Sequence, residues 1–272
     1  MVKILLGRYD IDPNKSAEDG QTPLLLAARN GCEGVVKLLL GRDDVNPDKP
    51  DKRGRAPLSF AARGGHEEVV QLLLGRGDVN AGRTDNYGVT ALLEASYEGH
   101  EGLVKLLLGR DDVIPDQPDQ SGRTPLTWAA LRGHEEIVKL LLGRDDVNPN
   151  KPDKRGQTPL YWATQNEHEG VVEILLGRSD VNPDQPNVDD KTPLSCAAYH
   201  GHKGVAKLLL GRDDINPNKQ DVRGRTPLEW AACNGHEEVA KLLLGRKGVT
   251  PASQVSVTGH CSGGLLKMAS QE

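Results

Sequence analysis

The sequence is poor in aromatic residues and contains no long apolar run. Aromatic side chains make up 3% of its 272 residues, and there is a single phenylalanine. A deep core is usually filled by bulky aromatic side chains, so we expect a thin apolar layer of leucine, valine and alanine between flat modules. No segment approaches the roughly 18 apolar residues of a membrane-spanning helix. The apolar patch at 2–6 ends at Gly7 and is too short for a secretory signal.

Cysteine is scarce, and the charge balance is mildly acidic. The four cysteines, Cys32, Cys196, Cys233 and Cys261, lack the paired spacing of a zinc site or a disulfide framework, so we expect isolated thiols in a reducing compartment. The formal net charge of -5 argues against general nucleic-acid binding, which relies on a basic surface. Together these features predict an intracellular protein, cytoplasmic or nuclear, with no membrane or nucleic-acid partner.

A repeat of 34 residues runs through most of the chain. The string Leu-Leu-Gly-Arg recurs with this period, and so does the tripeptide Thr-Pro-Leu, of which two copies are degenerate. Such a recurrence is the signature of an architecture in which each unit buries its neighbours. The seven tripeptide positions begin at Thr22, Ala56, Thr90, Thr124, Thr158, Thr192 and Thr226.

One unit, followed from Thr124, predicts a helix, a turn, a second helix and a protruding loop. Thr124 suits the N-cap, Pro125 the first helical position, and Gly133 the left-handed residue just past the helix C-terminus. The second helix is expected over 135–142, where the side chains are apolar nearly all round and need cover on more than one side. The turn-rich stretch 145–155 cannot continue a helix. Helices this short are unstable alone in water, so the units must stack.

This pattern resembles the ankyrin repeat. The matching run is Asp119-x-x-Gly122-Arg123-Thr124-Pro125-Leu126, followed by Ala129-Ala130 and Gly133-His134-Glu135, and it is close to the family's Thr-Pro-Leu-His-x-Ala signature. The resemblance covers residues 1 to about 249. It implies an all-α fold, an ankyrin-type α-solenoid with a helix-turn-helix and a β-turn or hairpin-like loop in each repeat.

The same resemblance predicts the domain limits. We expect a partial N-terminal repeat at 1–16, a domain of seven repeats at 17–249 and a flexible C-terminal tail at 250–272. The seven repeats are expected at 17–50, 51–84, 85–118, 119–152, 153–186, 187–220 and 221–249.

Two residues depart from the repeat in a way that matters for stability. Glu167 and Asp190 stand where the other repeats have glycine. If both keep the backbone of the repeat, each adopts a left-handed conformation that costs a non-glycine residue about 1 kcal/mol or more. We therefore predict that repeats five and six are the softest part of the stack.

Two columns of the repeat carry side chains that are often functional. Histidines recur at one position, which suggests a metal or a general base, but equivalent atoms of successive repeats lie roughly 8–10 Å apart, whereas one metal needs ligands at about 2 Å. No nucleotide-binding glycine pattern, nucleophile elbow or kinase signature is present. We therefore predict no catalytic residue, metal or cofactor, and expect the histidines to cap the second helix and link loops. Trp128, Trp162 and Trp230, with Phe60, form the other column, interpreted as packing between repeats rather than as an aromatic ligand ladder.

Recognition should lie in exposed positions that vary between repeats. In ankyrin-like proteins the partner sits on the concave side, formed by the loop tips (the fingertips) and the first helix of each repeat. Arginine and tyrosine are enriched there, as in interface hot spots, and the local basic character favours a partner with an acidic stretch. The alternative is that the arginines only pair with loop aspartates. Carried over by position, the partner-binding residues are Arg53, Arg55, Tyr87, Tyr97, Arg123, Arg132, Arg155, Gln165, Tyr199, Arg223 and Arg225.

These inferences predict a non-enzymatic, monomeric interaction scaffold that binds a protein or peptide on the concave face of the stack. The alternative is a regulatory or sensor repeat arm of a larger multidomain signalling protein whose effector domain is missing from this chain. The first repeat, which is incomplete and would leave an apolar face open, favours that alternative.

Overall fold

The computed structural model describes residues 12–250, and within this range it contains fourteen helices and no strand. The helices form seven pairs. The first helices of the pairs are α1 (Pro23–Arg29), α3 (Pro57–Arg63), α5 (Ala91–Glu98), α7 (Pro125–Arg132), α9 (Pro159–Gln165), α11 (Pro193–His200) and α13 (Pro227–Cys233). The second helices are α2 (Glu33–Leu40), α4 (Glu67–Leu74), α6 (Glu101–Leu108), α8 (Glu135–Leu142), α10 (Glu169–Leu176), α12 (Lys203–Leu210) and α14 (Glu237–Leu244). The helix end expected at 1–8 and the tail expected beyond 250 lie outside the described residues.

The chain divides into two compact units, one of residues up to 128 with 140–147, the other of residues 129–139 with those from 148 onward. In the first unit α1, α3 and α5 pack on one another in chain order, and so do α2, α4 and α6. In the second unit the same holds for α9, α11 and α13 and for α10, α12 and α14. This packing confirms the predicted all-α fold of ankyrin-type repeats within each unit.

The first helices begin where the threonine–proline pairs predict. Thr22 Oγ1 accepts a hydrogen bond from Leu25 N at 3.1 Å, and Thr124 Oγ1 accepts one from Thr127 N at 3.2 Å. Each bond satisfies a helix amide that would otherwise lack a partner. Ala56 stands at the same position before α3 and provides no such bond.

The core is a thin apolar layer between helices, as the composition predicted. In the second repeat Ala61, Ala62, Val70 and Leu73 have no exposed surface. The alanines let neighbouring first helices approach closely, while the valine and leucine fill the space between the two helix layers. A stabilisation of about 0.8 kcal/mol per buried CH₂ group is therefore available only where a neighbouring repeat covers the helix.

Arginines that follow second helices tie neighbouring repeats together, as Arg76, Arg144 and Arg212 do. Arg212 Nη1 donates to the carbonyl oxygen of Leu176 at 2.7 Å, at the C-terminus of α10, where a cation also stabilises the helix dipole. The same guanidinium forms an ion pair with Asp214 at 2.7 Å. Arg76 does the same with Leu40 and Asp78. The acidic Asp-Asp loops are thus partly neutralised by their own arginines.

Glu167 and Asp190 do adopt the left-handed conformation expected of them, with φ angles of 58° and 56°. Several glycines at equivalent positions are closely packed: a Cβ added at Gly133, for example, would lie 2.7 Å from His168 Nδ1. The corresponding ring of the next repeat is present at Glu167 too, because His202 Nδ1 lies 3.4 Å from the Glu167 carboxylate.

We predict that Glu167→Gly raises the free energy of unfolding by about 1 kcal/mol, since it removes the strain of a left-handed non-glycine residue. The polar interaction between the Glu167 carboxylate and His202, which the variant removes, is exposed on the glutamate side and contributes little. Urea unfolding followed by circular dichroism measures the change. Glu167→Ala is the control, because it removes the carboxylate but keeps the Cβ; an equal gain in both variants would contradict the strain argument.

At one position of the loop that follows the second helix in several repeats, the side chain of an asparagine or an aspartate forms hydrogen bonds to the backbone of the next loop. Asn150 Nδ2 donates to Asp180 O at 2.6 Å, and its Oδ1 accepts from Asn182 N at 2.8 Å. At the same position one repeat later, Asp184 Oδ2 accepts from Asn216 N at 2.6 Å, but its Oδ1 is buried without a hydrogen-bond partner in the described part of the chain. An ionised carboxylate has no proton to donate, so Asp184 cannot form the second hydrogen bond, which Asn150 forms through its Nδ2 group. Asp184 therefore links to the next loop only through the bond that it accepts from Asn216 N.

Asp48 repeats this arrangement, with Asn80 N as the donor at 2.8 Å and a buried Oδ1 that has no partner among residues 12–250. Burial raises the pKa of both carboxyls above the usual 3.8. Nearby Asp214 raises the pKa of Asp184 further and Lys219 opposes it. Around Asp48, Arg83 lowers the pKa while Asp78 and Asp112 raise it.

We predict that Asp184→Asn and Asp48→Asn each stabilise the fold at pH 7 by about 1 kcal/mol, because the amide supplies the missing donor. A group whose pKa is raised by folding contributes stability below its unfolded pKa, and this contribution is lost as the pH rises through the folded pKa. The gain should therefore be smaller at pH 4 than at pH 7, as measured by urea unfolding. The reverse change, Asn150→Asp, should destabilise the fold, and more so at pH 7; a pH-independent effect of all three would refute the explanation.

Candidate functional site

From the second repeat onward, each fingertip is a tight turn held by one side chain, which is buried in most repeats and is a carboxylate in all but one of them. Asp51 Oδ1 accepts hydrogen bonds from the backbone amides of Arg53 and Arg55, both at 2.9 Å. Neighbouring fingertips are joined through the backbone, as where Asn86 N donates to Arg53 O at 2.9 Å. The turn is therefore rigid, and it points the side chains at its tip away from the helices. The recurrence of this aspartate with the period of the repeat is the sequence signal that could have identified its role.

The tryptophan column fixes the fingertips to the first helices. Trp230 Nε1 donates to Asp221 Oδ2 at 3.1 Å, and Trp162 makes the same bond to Asp153 at 3.1 Å. Trp230 is only 6% exposed, which confirms the packing interpretation for this residue, while Trp162 is half-buried. Each indole thus packs in the repeat and also orients the fingertip that precedes its helix.

Two of the predicted partner-binding arginines are engaged within their own repeats. Arg55 forms an ion pair with Asp51 at 2.7 Å, and its guanidinium lies 4.4 Å from the centre of the Phe60 ring. Arg123 pairs with Asp119 at 3.4 Å. Pairing with loop aspartates, the alternative to partner binding, therefore holds at these two positions.

Three fingertip cations are not engaged in this way. Arg53, Arg155 and Arg223 are exposed, and their guanidinium groups make no ion pair or hydrogen bond with any residue between 12 and 250. The structure thus separates arginines that hold the fold from arginines that face solvent. Of the other two predicted cations, Arg132 is exposed at the end of α7, and Arg225 lies 4.4 Å from the centre of the Trp230 ring.

The remaining predicted residues fall into different environments. Tyr87 is 55% exposed at a fingertip, and Tyr199 is 42% exposed on α11. Tyr97 is half-buried, with its ring edge-on to Trp128. Gln165 is half-buried, and its backbone carbonyl accepts a hydrogen bond from the next repeat's His202 at 3.3 Å. In the first unit the structure brings Tyr97 together with Arg123, and in the second unit Tyr199 with Arg225, each pair around one tryptophan.

The histidine column links repeats. His66 Nε2 donates to Arg29 O at 3.1 Å and His168 Nε2 donates to Leu131 O at 2.9 Å, each to a carbonyl 37 positions earlier in the chain. The histidines therefore link neighbouring repeats, but they do so through carbonyls of the first helices and not, as predicted, between loops. The predicted capping role is wrong for five of these residues, since they occupy the N-cap of the second helix but their side chains make no capping hydrogen bond: His66, His100, His168, His202 and His236.

Two buried side chains, Cys196 and Tyr161, are held in their protonated forms by burial. Burial raises the pKa of the Cys196 thiol to about 12, far from the thiolate that a nucleophile requires. Burial likewise raises the pKa of Tyr161. Among residues 12–250 no group of three or more histidines, cysteines, aspartates or glutamates could hold a metal ion. Cys32 and Cys196 are free thiols, but Cys233 is disulfide-bonded, so the expectation of four isolated cysteines was wrong.

None of the helices in the described range is both long and apolar enough to cross a membrane.

Comparison with known families agrees with the repeat geometry. One family model, described as ankyrin repeats in three copies, matches this chain in four overlapping places. The matched residues are 1–85, 44–116, 92–187 and 178–254. The chain belongs to the ankyrin repeat family. Domains of this family are generally modules for binding other proteins.

One solved structure illustrates the likeness. The crystal structure of the human ASB11 ankyrin repeat domain is 26% identical in sequence and superposes with a TM-score of 0.72, covering 85% of this chain and all of that one. Because 604 solved chains share a significant likeness, the comparison identifies an architecture and not a partner. No curated protein matches the chain significantly.

Proposed function

We propose that this ankyrin repeat protein is a non-enzymatic, monomeric scaffold that holds a protein or peptide against its fingertips and first helices. The fingertips are fixed by Asp51 and its equivalents and by the indole hydrogen bonds. A surface ordered in advance loses little conformational entropy on binding. The unreactive states of Cys196 and Tyr161 fit a protein that binds rather than catalyses. Nothing in the structure of residues 12–250 favours a sensor arm of a larger signalling protein over such a scaffold.

The partner contains an acidic stretch, and the observation that carries this proposal is the division of the cations. Arg53, Arg155 and Arg223 are exposed and have no ion pair within residues 12–250, whereas Arg55 and Arg123 are paired at the base of their fingertips. Only charges without an intramolecular partner can be neutralised by a binding partner at little desolvation cost. The net charge of -5 disfavours nucleic acid as that partner, since a polyanion needs a broadly basic surface.

A cytoplasmic or nuclear location and the boundaries of the seven repeats are part of the same proposal. Both rest on the sequence pattern, and the disulfide bond of Cys233 is an observation that does not favour the reducing compartment inferred there.

We predict that reversing the three exposed charges, with Arg53→Glu, Arg155→Glu and Arg223→Glu together, weakens binding of the partner tenfold or more. The physical reason is the loss of attraction and the added repulsion of like charges. The partner is first identified by chemical cross-linking to the intact chain and mass spectrometry, and the affinity is then measured by calorimetry at low and high salt. Reversal of Arg55 or Arg123 is avoided, because it would break an ion pair that holds the fold.

The matched control is the triple variant Lys37→Glu, Lys105→Glu and Lys207→Glu, which changes the net charge equally on exposed positions of the second helices. It should leave the affinity within a factor of about two. Equal weakening by both triple variants would show that only the overall charge matters, and unchanged affinity in the fingertip variant would refute the acidic-partner proposal.

A further inference from the structure

The chain contains the same aromatic arrangement twice, three repeats apart in sequence. In the first unit the Tyr97 ring lies edge-on to Trp128, with ring centres 4.9 Å apart and an interplanar angle of 87°. In the second unit Tyr199 lies edge-on to Trp230 at 5.0 Å and 81°. Because both copies are built on the same repeat frame, a difference in the charges around them is independent of the fold.

The arginine beside the tryptophan is neutralised in the first copy only. Arg123 lies 3.9 Å from the centre of the Trp128 ring and also forms an ion pair with Asp119. Arg225 lies 4.4 Å from the centre of the Trp230 ring but forms no ion pair with any residue from 12 to 250. Its cation is therefore left for an external anion.

A second cation is present only in the second copy. Lys191 occupies the position that Val89 occupies in the first, and its Nζ lies 4.8 Å from the centre of the Trp230 ring and 5.4 Å from that of Tyr199. Within the described residues Lys191 forms no ion pair, not even with the adjacent Asp189 or Asp190. Attraction between a cation and the face of an aromatic ring keeps the ammonium group beside the indole.

The other titratable groups near the second copy do not cancel this charge. Asp221 is buried and its carboxylate holds the Trp230 indole, while Glu229 is taken up by the capping box at the start of α13. His200 stands where the first copy has Glu98. Burial, His202, His236 and Lys191 all lower the pKa of His200, so it is neutral at pH 7. Two cations thus face one buried carboxylate in the second copy, whereas the arginine of the first copy is paired with its own aspartate.

We propose that Lys191 and Arg225, which both lie within 5 Å of the centre of the Trp230 ring, form a subsite for a carboxylate side chain of an acidic peptide segment. Tyr199, which is 42% exposed, offers an apolar face to the neighbouring side chain of that segment. The subsite rests on the proposed function and locates one point at which the acidic stretch is bound. The equivalent place around Trp128 lacks both free cations and does not select a carboxylate.

The test is a selection from a random dodecapeptide phage library against the intact chain, followed by calorimetry with a synthetic peptide of the selected sequence. We expect peptides that carry aspartate or glutamate next to an apolar residue. Lys191→Val, which introduces the residue of the first copy, and Arg225→Gln should each weaken binding roughly tenfold, the effect of one charge-assisted hydrogen bond. Lys191→Arg keeps the positive charge and should bind the peptide as well as the unaltered chain does. Lys207→Gln, at an exposed position of α12, should leave the affinity unchanged.

The outcomes separate this subsite from the wider proposal. The subsite is overturned if a selected peptide binds equally well after its acidic residues are replaced by glutamine. It is also overturned if the affinity for that peptide is unchanged by Lys191→Val and Arg225→Gln. If such a peptide still depends on Arg53, Arg155 or Arg223, the fingertip scaffold stands without it. Failure to select any peptide, together with failure of the fingertip charge reversal to alter partner binding, overturns both.

Discussion

The burial of short helices by their neighbours is the constraint on which the rest of this molecule depends. Helices of seven or eight residues, such as α3 and α4, are marginal alone in water because nucleation is costly. Ala61, Ala62 and Leu73 lose all exposure to solvent only because adjacent helices cover them. Each repeat is therefore stable through its contacts, and every feature that brings neighbours together contributes to the whole.

Polar side chains reinforce this stacking at fixed intervals. Histidine reaches a carbonyl 37 positions back in the chain, and the arginine after the second helix reaches one 36 positions back. Both intervals are close to the 34-residue period. The same type of side chain therefore donates a hydrogen bond to the equivalent carbonyl of the preceding repeat at several places in the chain. Where the type changes, as from Asn150 to Asp184, one link is lost and a buried oxygen is left without a partner in the described range.

The division of charge follows from the same repetition. A cation at the base of a fingertip, such as Arg55, meets the aspartate that closes the turn, while a cation at the tip, such as Arg53, extends beyond its reach. Among the described residues the tip arginines Arg53, Arg155 and Arg223 have no ion pair, whereas the base arginines differ, since Arg55 is paired and Arg225 is not. The comparison of Lys191 with Val89 shows how a substitution on a constant frame changes the charges around an aromatic pair.

The period, the helix boundaries and the strained backbone could all be predicted from the sequence, because each depends on local chemistry. Threonine followed by proline marks a helix start, and Glu167 and Asp190 had to adopt positive φ angles (58° and 56° in the structure) once they replaced glycine in a fixed frame. The candidate surface was predictable as a set of positions, but its chemistry was not. Arg123 and Arg225 are equivalent in sequence, yet only Arg123 is ion-paired within the described residues, and the proximity of Lys191 to Trp230 joins residues 39 positions apart. Pairing of this kind is decided by side-chain geometry between stacked helices, which only the tertiary structure provides.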